Sequence, residues 1–387
     1  RQVPAMAARG IQRQQRDRDD GPGRLDCFCI FRLAVAKTLI ANGYNVYVMS
    51  PAPYEYYVNK IVEIGAAHIP YKMEGKFSPL GDLKLLYKFY STYKKIGPDY
   101  IIHYTIKPNI YGSLAAKLNS IPSLSLVPGT GSVFQQKNIV SKIVIGLYKF
   151  AFHYPKKVWV LNKDDYDAFL RNRIIDKQRI AILPGEGIDI SYFKSLTKYK
   201  RHSPFIFLYM GRMLREKGVE NIAKASHLLR ERGVLNFEIR LLGLVDGLSK
   251  DVISMDEIRK WEKDNLVSFL GSVSDVRQHI ESADCILLPS FYGEGVPRSL
   301  MEACAMERVV LTSNNVVCRD IIENMYNGII CRSRSVEDLA NKMEYVMSLP
   351  EEELINMGLN GRKKVEAYFR EEVIIQHYLE EIKLELV

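Results

Sequence analysis

From Phe31 onward the chain alternates short apolar runs with segments of helical spacing, and this alternation limits the possible folds more than any other feature. Strand, helix, strand in repetition is the unit of a parallel sheet covered on both faces; antiparallel architectures would instead show strands paired through short turns. Leu33-Ala34-x-Ala36-x-x-Leu39-Ile40 has helical spacing and stops at Asn42-Gly43, after which Val46 to Met49 reads as a strand. A helix over Val58 to Ile64, a strand over Ala67 to Ile69, a helix over 80–96 and a strand over Asp99 to His103 follow. Next come a small-residue helix over Ser113 to Lys117, a strand over Leu124 to Val127 and a helix over Ile139 to Phe152. Val158 to Leu161 is expected to close this first sheet, with Ile180 to Leu183 leading into the Gly-rich turn Pro184-Gly185-Glu186-Gly187, the natural domain boundary. A second alternating unit opens with Phe205 to Met210 and continues through Glu238–Leu242, Val267–Leu270, Cys285–Leu288 and Val309–Thr312. Helices over Val336 to Met347 and from Glu351 past Leu379 end the chain.

At 387 residues the chain can bury two cores of ordinary size, and no window of about eighteen residues is uninterrupted apolar. Residues 1–24 carry six Arg and no Lys, Tyr or Phe, whereas the sequence after Phe28 is rich in Lys, Ile and Tyr. The expectation for 1–24 is a disordered, extraneous or altered segment without a secretory h-region, with a short strand at Leu25 to Phe31. The six cysteines are scattered and read as reduced core thiols of a cytoplasmic protein; Cys27-x-Cys29 lacks the second pair a metal site would need.

Charge is divided unevenly. Residues 31–184 hold 21 Lys and Arg against 9 Asp and Glu, a balance of +12, and residues 185–387 hold 27 against 32, a balance of −5. A basic first half suggests an anionic partner such as a membrane surface, a lipid diphosphate or nucleic acid. The 80–96 helix interleaves Leu80, Leu83, Leu86, Tyr87, Phe89, Tyr90, Tyr93 and Ile96 with Lys84, Lys88, Lys94 and Lys95. Its apolar residues cover more than one face, which suits core packing and also a membrane interface; Ile139 to Phe152, with Lys142 and Lys149, is the second such helix.

Two motifs carry chemistry. In the first, the strand Cys285–Leu288 runs into Gly293-Glu294-Gly295-Val296-Pro297-Arg298 and then into a helix that contains Glu302. A Gly-rich turn at a helix start offers backbone N–H groups to a phosphate, with no side chain in the way. Glu294 and Glu302, with seven residues between them, fall in the loop and within the helix, so they serve different parts of one ligand. Alone, such a pair is most often an exposed loop acid and a helix-face acid. The second motif reverses that weighting: Gly211-Arg212-Met213-Leu214-Arg215-Glu216-Lys217-Gly218 lies between a strand and a helix, 83 residues upstream of Glu294. Arg212 can grip a phosphate with a fork of donors, and Lys217 supplies a mobile point charge.

The two motifs together resemble the Gly-Arg-Leu-x-x-x-Lys-Gly and Glu-x(7)-Glu signatures of the family 4 retaining glycosyltransferases of bacterial surface-polysaccharide synthesis. The resemblance implies two facing doubly wound, Rossmann-like α/β domains in the GT-B arrangement. It places a first, acceptor-binding domain at 25–185, a nucleotide-sugar domain at 186–365, and a terminal helix at 366–387 that crosses back to the first domain. Carried over, Glu294 contacts the donor sugar and Glu302 the ribose; Arg212 and Lys217 stabilise the departing diphosphate with backbone N–H groups from Gly295 to Arg298. Gly211, Gly271, Val273, Val296 and Pro297 line the donor, the Gly271–Asp275 turn lying against the base; Asp275 reads better as a cap for the following helix. Thr105, Lys107, Asn109, Gly129 and Gly131 line the cleft from the acceptor side. The family mechanism is front-face attack by the acceptor hydroxyl, with no metal and no cofactor beyond a nucleotide sugar, expected to be a UDP-hexose or UDP-N-acetylhexosamine. The expected acceptor is a saccharide on a polyprenyl diphosphate, with the enzyme bound peripherally at the inner face of the cytoplasmic membrane.

Three departures from the family stand out: no Gly-rich loop precedes Phe31, Met306 to Val309 replaces a Cys-Gly-x-Pro turn, and Asn315 to Arg319 replaces a Gly-rich stretch. The rival within the same architecture is a nucleotide-sugar epimerase. A nicotinamide dehydrogenase would need Gly-x-Gly-x-x-Gly after a first strand, and none is present. Nucleic acid is not an expected partner, because the lysines are dispersed through helices without a recognition motif.

Overall fold

The computed structural model describes residues 32–51, 55–73, 78–129, 139–245, 251–291 and 295–386. The proposed strand at Leu25 to Phe31, Glu294, Gly131, Cys27 and Cys29 lie outside these residues. The first half runs α1 (Leu33–Ala41), β1 (Tyr47–Ser50), α2 (Glu55–Glu63), β2 (Ala67–Pro70), α3 (Pro79–Ile96), β3 (Ile101–Tyr104), α4 (Ser113–Leu118), β4 (Ser123–Val127), α5 (Ile139–Ala151), β5 (Lys157–Val160), α6 (Lys163–Arg171) and β6 (Ile180–Ile182). Strands β3-β4-β5-β6 form a parallel sheet in that order, and β1 pairs with β2 in a separate parallel ribbon. One expectation is corrected here. Val158 to Val160 does not close the sheet, because Ile180–Ile182 pairs alongside it as the outer strand before the chain turns to the hinge.

The second half runs β7 (Phe205–Met210), α7 (Val219–Glu231), β8 (Phe237–Leu242), α8 (Met255–Lys263), β9 (Ser268–Gly271), α9 (Arg277–Glu281), β10 (Cys285–Leu288), α10 (Arg298–Ala305), β11 (Val309–Ser313), α11 (Val316–Ile321), β12 (Ile329–Cys331), α12 (Val336–Ser348), α13 (Glu351–Tyr368) and α14 (Glu371–Leu386). Its six-stranded parallel sheet has the order β12-β11-β10-β7-β8-β9, which reverses direction between β7 and β10. Open parallel sheets place ligands at such a reversal, beyond the carboxyl ends of the strands. The central strands β7, β10 and β11 are buried at every residue, as expected of a sheet covered on both faces. Cys285, Cys304, Cys318 and Cys331 are buried free thiols.

The C-terminal segment is not one helix. It breaks at Phe369-Arg370, where Ile188 of the interdomain turn inserts: its N–H donates to the Phe369 carbonyl at 2.9 Å, and the Glu371 N–H donates to the Ile188 carbonyl at 3.0 Å. Past the break α14 crosses to the first domain, with Tyr378 edge-on to Trp159 at 5.0 Å and Glu381 within 3.2 Å of the Lys157 ammonium. At Met306 to Val309, where the sequence departs from the family's Cys-Gly-x-Pro turn, Arg308 is buried and donates to the carbonyls of Glu281 and Met306, so its charge ties β11 to α9.

Candidate active site

The second-domain part of the site is held together by backbone. The Gly211 N–H donates to the Leu242 carbonyl at 2.9 Å and the Gly243 N–H to the Gly271 carbonyl at 2.7 Å, so the loops after β7, β8 and β9 lie side by side. Tyr209 reaches from β7 to donate its hydroxyl to the Arg212 carbonyl at 2.7 Å, fixing the loop that exposes the Arg212 side chain. Lys217 runs back past Gly211, where a Cβ would lie 3.7 Å from Lys217 Cδ. Gly218 ends this loop at φ 82°, and a Cβ there would fall 2.4 Å from the Pro289 carbonyl oxygen. Only glycine permits both that backbone angle and that approach. The Phe291 N–H donates to the Glu216 carbonyl at 2.9 Å, so the Arg212–Lys217 loop and the turn that follows β10 form one unit.

That turn re-enters the described residues at Gly295, and α10 begins at Arg298 with Pro297 before it. Glu302 therefore lies one turn inside the helix, as expected. Its carboxylate is largely buried and accepts from Arg298 Nε at 2.9 Å. Burial pushes the Glu302 carboxyl above its ordinary range, and the Arg298 charge opposes that. The Arg298 side chain thus folds back along the helix, leaving the first-turn N–H groups at the positive end of the dipole. Gly271 adopts φ 73° and Val273 is 40% exposed on the neighbouring turn. Asp275 accepts from the Arg277 N–H at 3.0 Å and chelates its guanidinium, which holds the carboxyl down at about 2; it serves the start of α9, as read.

The turn before α10 meets the first domain directly. A Cβ on Gly295 would lie 2.1 Å from the Pro128 carbonyl oxygen and 2.9 Å from Leu161 Cδ1. Pro128 and Gly129 follow β4, so the loop after β4 and the turn before α10 face each other across a contact without room for a side chain. Val296 and Pro297 are buried beside it.

On the acceptor side, Thr105 sits at the end of β3 with φ 69°, a conformation that strains a β-branched residue. The chain then makes a wide i→i+5 turn over Pro108–Gly112, of the kind concentrated at functional sites. Lys107 does not stand alone. Its ammonium lies 2.7 Å from an Asp82 carboxylate oxygen, whose other oxygen accepts from the Tyr111 hydroxyl at 3.0 Å. Asn109 corrects the expectation of a cleft-lining group: it is wholly buried, with its amide donating to the Leu126 carbonyl at 2.8 Å, so it anchors the loop from inside. Beneath the loop, His103 is buried with its ring nitrogens 3.2 Å from the Tyr93 hydroxyl and 3.4 Å from the Ser113 hydroxyl, and burial lowers it to about 3. Among the described residues no group of three or more His, Cys, Asp or Glu is placed to hold a metal ion, and no helix is long and apolar enough to cross a membrane.

Comparison with known proteins gives this arrangement a family. The family described as Glycosyl transferases group 1 matches residues 194–364, and the one described as Glycosyl transferase 4-like matches 26–162. The chain is a glycosyltransferase, built of a glycosyltransferase 4-like domain followed by a group 1 domain. A relative from Campylobacter jejuni, an N,N'-diacetylbacillosaminyl-diphospho-undecaprenol alpha-1,3-N-acetylgalactosaminyltransferase, is 27% identical over 367 residues, covering 90% of this chain and 93% of its own. An Escherichia coli UDP-Gal:alpha-D-GlcNAc-diphosphoundecaprenol alpha-1,3-galactosyltransferase is 21% identical, covering 74% and 76%. Among solved structures, HepE from Anabaena in complex with UDP superposes with a TM-score of 0.75 at 17% identity, over 94% of this chain and 97% of that one. The fold is therefore the GT-B pairing of two Rossmann-like domains, and transfer rather than epimerisation is the activity of this glycosyltransferase. Sequence reasoning missed Asp82 and Tyr111 as holders of Lys107, because 25 and 4 residues separate them from it and neither belongs to a motif.

Proposed function

We propose that this glycosyltransferase moves a hexose or N-acetylhexosamine from a UDP-sugar to a saccharide carried on polyprenyl diphosphate, with retention of anomeric configuration and without a metal ion. The product belongs to the assembly of surface polysaccharide, O-antigen or capsule, at the inner face of the cytoplasmic membrane. The observation that carries this reading is the seating of Gly295 on Pro128, which puts the donor turn and an acceptor-side loop in one cleft. Arg212, Lys217 and the N-terminal end of α10 would together neutralise the departing diphosphate, the electrostatic work that otherwise calls for a cation. The acceptor hydroxyl would attack from the face the diphosphate leaves, and its incoming lipid diphosphate would meet Lys107. The named substrates of the Campylobacter and Escherichia relatives, both diphospho-undecaprenol saccharides, support the acceptor class.

The membrane part rests on α3 and α5, which pack on either side of the Pro108–Gly112 turn. Along α3, Leu80 (76% exposed), Leu83 and Tyr87 (70%) form a solvent-facing stripe beside exposed Lys84 and Lys88. On α5, Ile139 (75%), Ile143 and Phe150 do the same beside Lys142 and Lys149. Apolar stripes edged by lysines suit an anionic leaflet and flank the loop that would receive the lipid diphosphate.

Calorimetric titration of UDP without metal, into the wild type and Glu302→Ala, tests the donor site. Loss of a charged hydrogen-bond partner should weaken binding by about 1.5–3 kcal/mol. Failure of the wild type to bind any nucleoside diphosphate would sink the reading. Transfer in the presence of chelator, with the anomeric proton coupling of the first-formed product read by NMR, tests retention and metal independence.

A further inference from the structure

The turn between the domains touches both halves of the site. A Cβ on Gly185 would lie 3.4 Å from Val296 Cβ in the donor turn and 3.5 Å from Phe369 Cδ1 at the break between α13 and α14. The next residue, Glu186, forms an ion pair with Arg32, just ahead of α1; the two side chains are only 10% and 8% exposed. The Arg32 guanidinium carbon in turn lies 4.5 Å from the ring centroid of Tyr104, the last residue of β3. The strained Thr105 follows immediately and begins the acceptor-side loop. Val296 thus lies beside Gly185, and the Glu186–Arg32 pair and the Arg32–Tyr104 contact continue from there to Thr105, where the acceptor-side loop begins.

A buried ion pair is a poor source of stability, since apolar groups of similar volume often serve as well; its attested use is to fix one arrangement of parts over another. Here the parts are the donor turn, the hinge and the end of β3. We propose that Arg32 and Glu186 are positioning residues that couple occupation of the donor seat to the conformation of the Thr105–Gly112 loop, so that nucleotide binding readies the acceptor side. The inference rests on the donor and acceptor assignments above. A diphosphate drawn to the start of α10 shifts Val296; Gly185, having no side chain, transmits the shift to the hinge backbone. Glu186 carries it to the guanidinium that lies over the Tyr104 ring. Such coupling is reciprocal, and an acceptor bound at the loop tightens UDP by the same factor.

The test is amide hydrogen exchange of the 104–112 segment with and without UDP, alongside calorimetry of UDP on the same protein. In the wild type, UDP should slow exchange there by about fivefold or more, the lower end of ordinary site-to-site coupling. In Arg32→Met/Glu186→Met, which removes both charges, UDP should bind with unchanged affinity while the slowing disappears. Arg32→Lys keeps the charge, removes the guanidinium from over Tyr104 and should also lose the slowing; it serves if the double variant melts early. UDP binding with no change at 104–112 in the wild type, or slowing that survives in the variants, overturns the coupling. No UDP binding at all sinks the donor assignment, and this inference with it.

Discussion

In the second domain the central strands β7, β10 and β11 are buried throughout and the apolar side chains merge into one cluster; in the first, they are divided among three smaller clusters besides the face that joins the large one. The second domain carries more acid than base, while the first is strongly basic and leaves Leu80, Tyr87 and Ile139 in solvent. On the proposed function, the same βα topology serves two kinds of ligand. A nucleotide is small, rigid and polar, and its proposed seat is made of backbone, glycines and a few charges held still by a continuous core. An acceptor carried in a membrane, as proposed, would need a surface, and uncovered helix faces over small cores would supply it.

If that contrast holds, a change of one carbon beneath the second domain's loops should cost more than replacing two exposed side chains on the first. Gly218→Ala places a Cβ at positive φ against the Pro289 carbonyl. Positive φ costs an L-residue about 1–2 kcal/mol and overpacking a further 1–3, so a loss of about 2–5 kcal/mol is expected. Urea unfolding followed through Trp261 in α8 would measure it, and an unchanged midpoint would show that the loop is softer than its contacts imply. On the first domain, Leu80→Glu/Leu83→Glu should leave unfolding and UDP binding as they are. It should cost about 1.5–3 kcal/mol of partitioning to phosphatidylglycerol vesicles, one leucine's full burial shared between two partly withdrawn side chains. Cosedimentation with those vesicles reads the effect, with phosphatidylcholine vesicles as the control. Wild-type binding by the double variant would remove α3 from the membrane face.

The same contrast explains what could be read from the chain. The proposed donor seat could be read from the sequence because its signals are local: Arg212, Lys217 and Gly218 lie within one loop, and Gly295 to Glu302 within one turn and one helix. The acceptor side was legible only as strand ends. What fixes it are pairs distant in sequence, Lys107 with Asp82 and Arg32 with Glu186, 25 and 154 residues apart. Asn109 looked like a ligand group by its place in the loop, yet it is an internal anchor, a distinction that only the position of the Leu126 carbonyl decides. The break at Phe369 has no breaker residue; Glu351 to Leu379 contains one glycine pair, Gly358 and Gly361, and both lie inside α13. The interruption comes from Ile188, which takes the backbone partners that a continuous helix would have used.

The two domains should also answer acid with opposite signs. His103, neutral in the core beneath the acceptor loop, is held down to about 3 by burial, whereas an unfolded histidine titrates near its ordinary 6.5. Between those values the unfolded chain binds the extra proton, so this contribution is complete above about pH 6.5 and is lost as pH falls toward 3, at up to about 1.4 kcal/mol per pH unit. In the second domain the partly buried carboxyls of Glu302, Glu216 and Asp320 are raised above their ordinary values by desolvation. There the folded state takes the proton first, so their contribution grows as pH falls toward the carboxylate range. The chain has two tryptophans, Trp159 in β5 and Trp261 in α8, one reporter for each domain. Urea midpoints of Trp261→Phe, followed through Trp159, should fall between pH 6.5 and 4.5, and His103→Gln in that background should flatten the slope. Midpoints of Trp159→Phe, followed through Trp261, should hold or rise over the same range. A common slope for both reporters would mean that the domains unfold as one unit and that the large shared cluster, which reaches Leu124, Leu126 and Trp159 through α14, outweighs the division drawn between them.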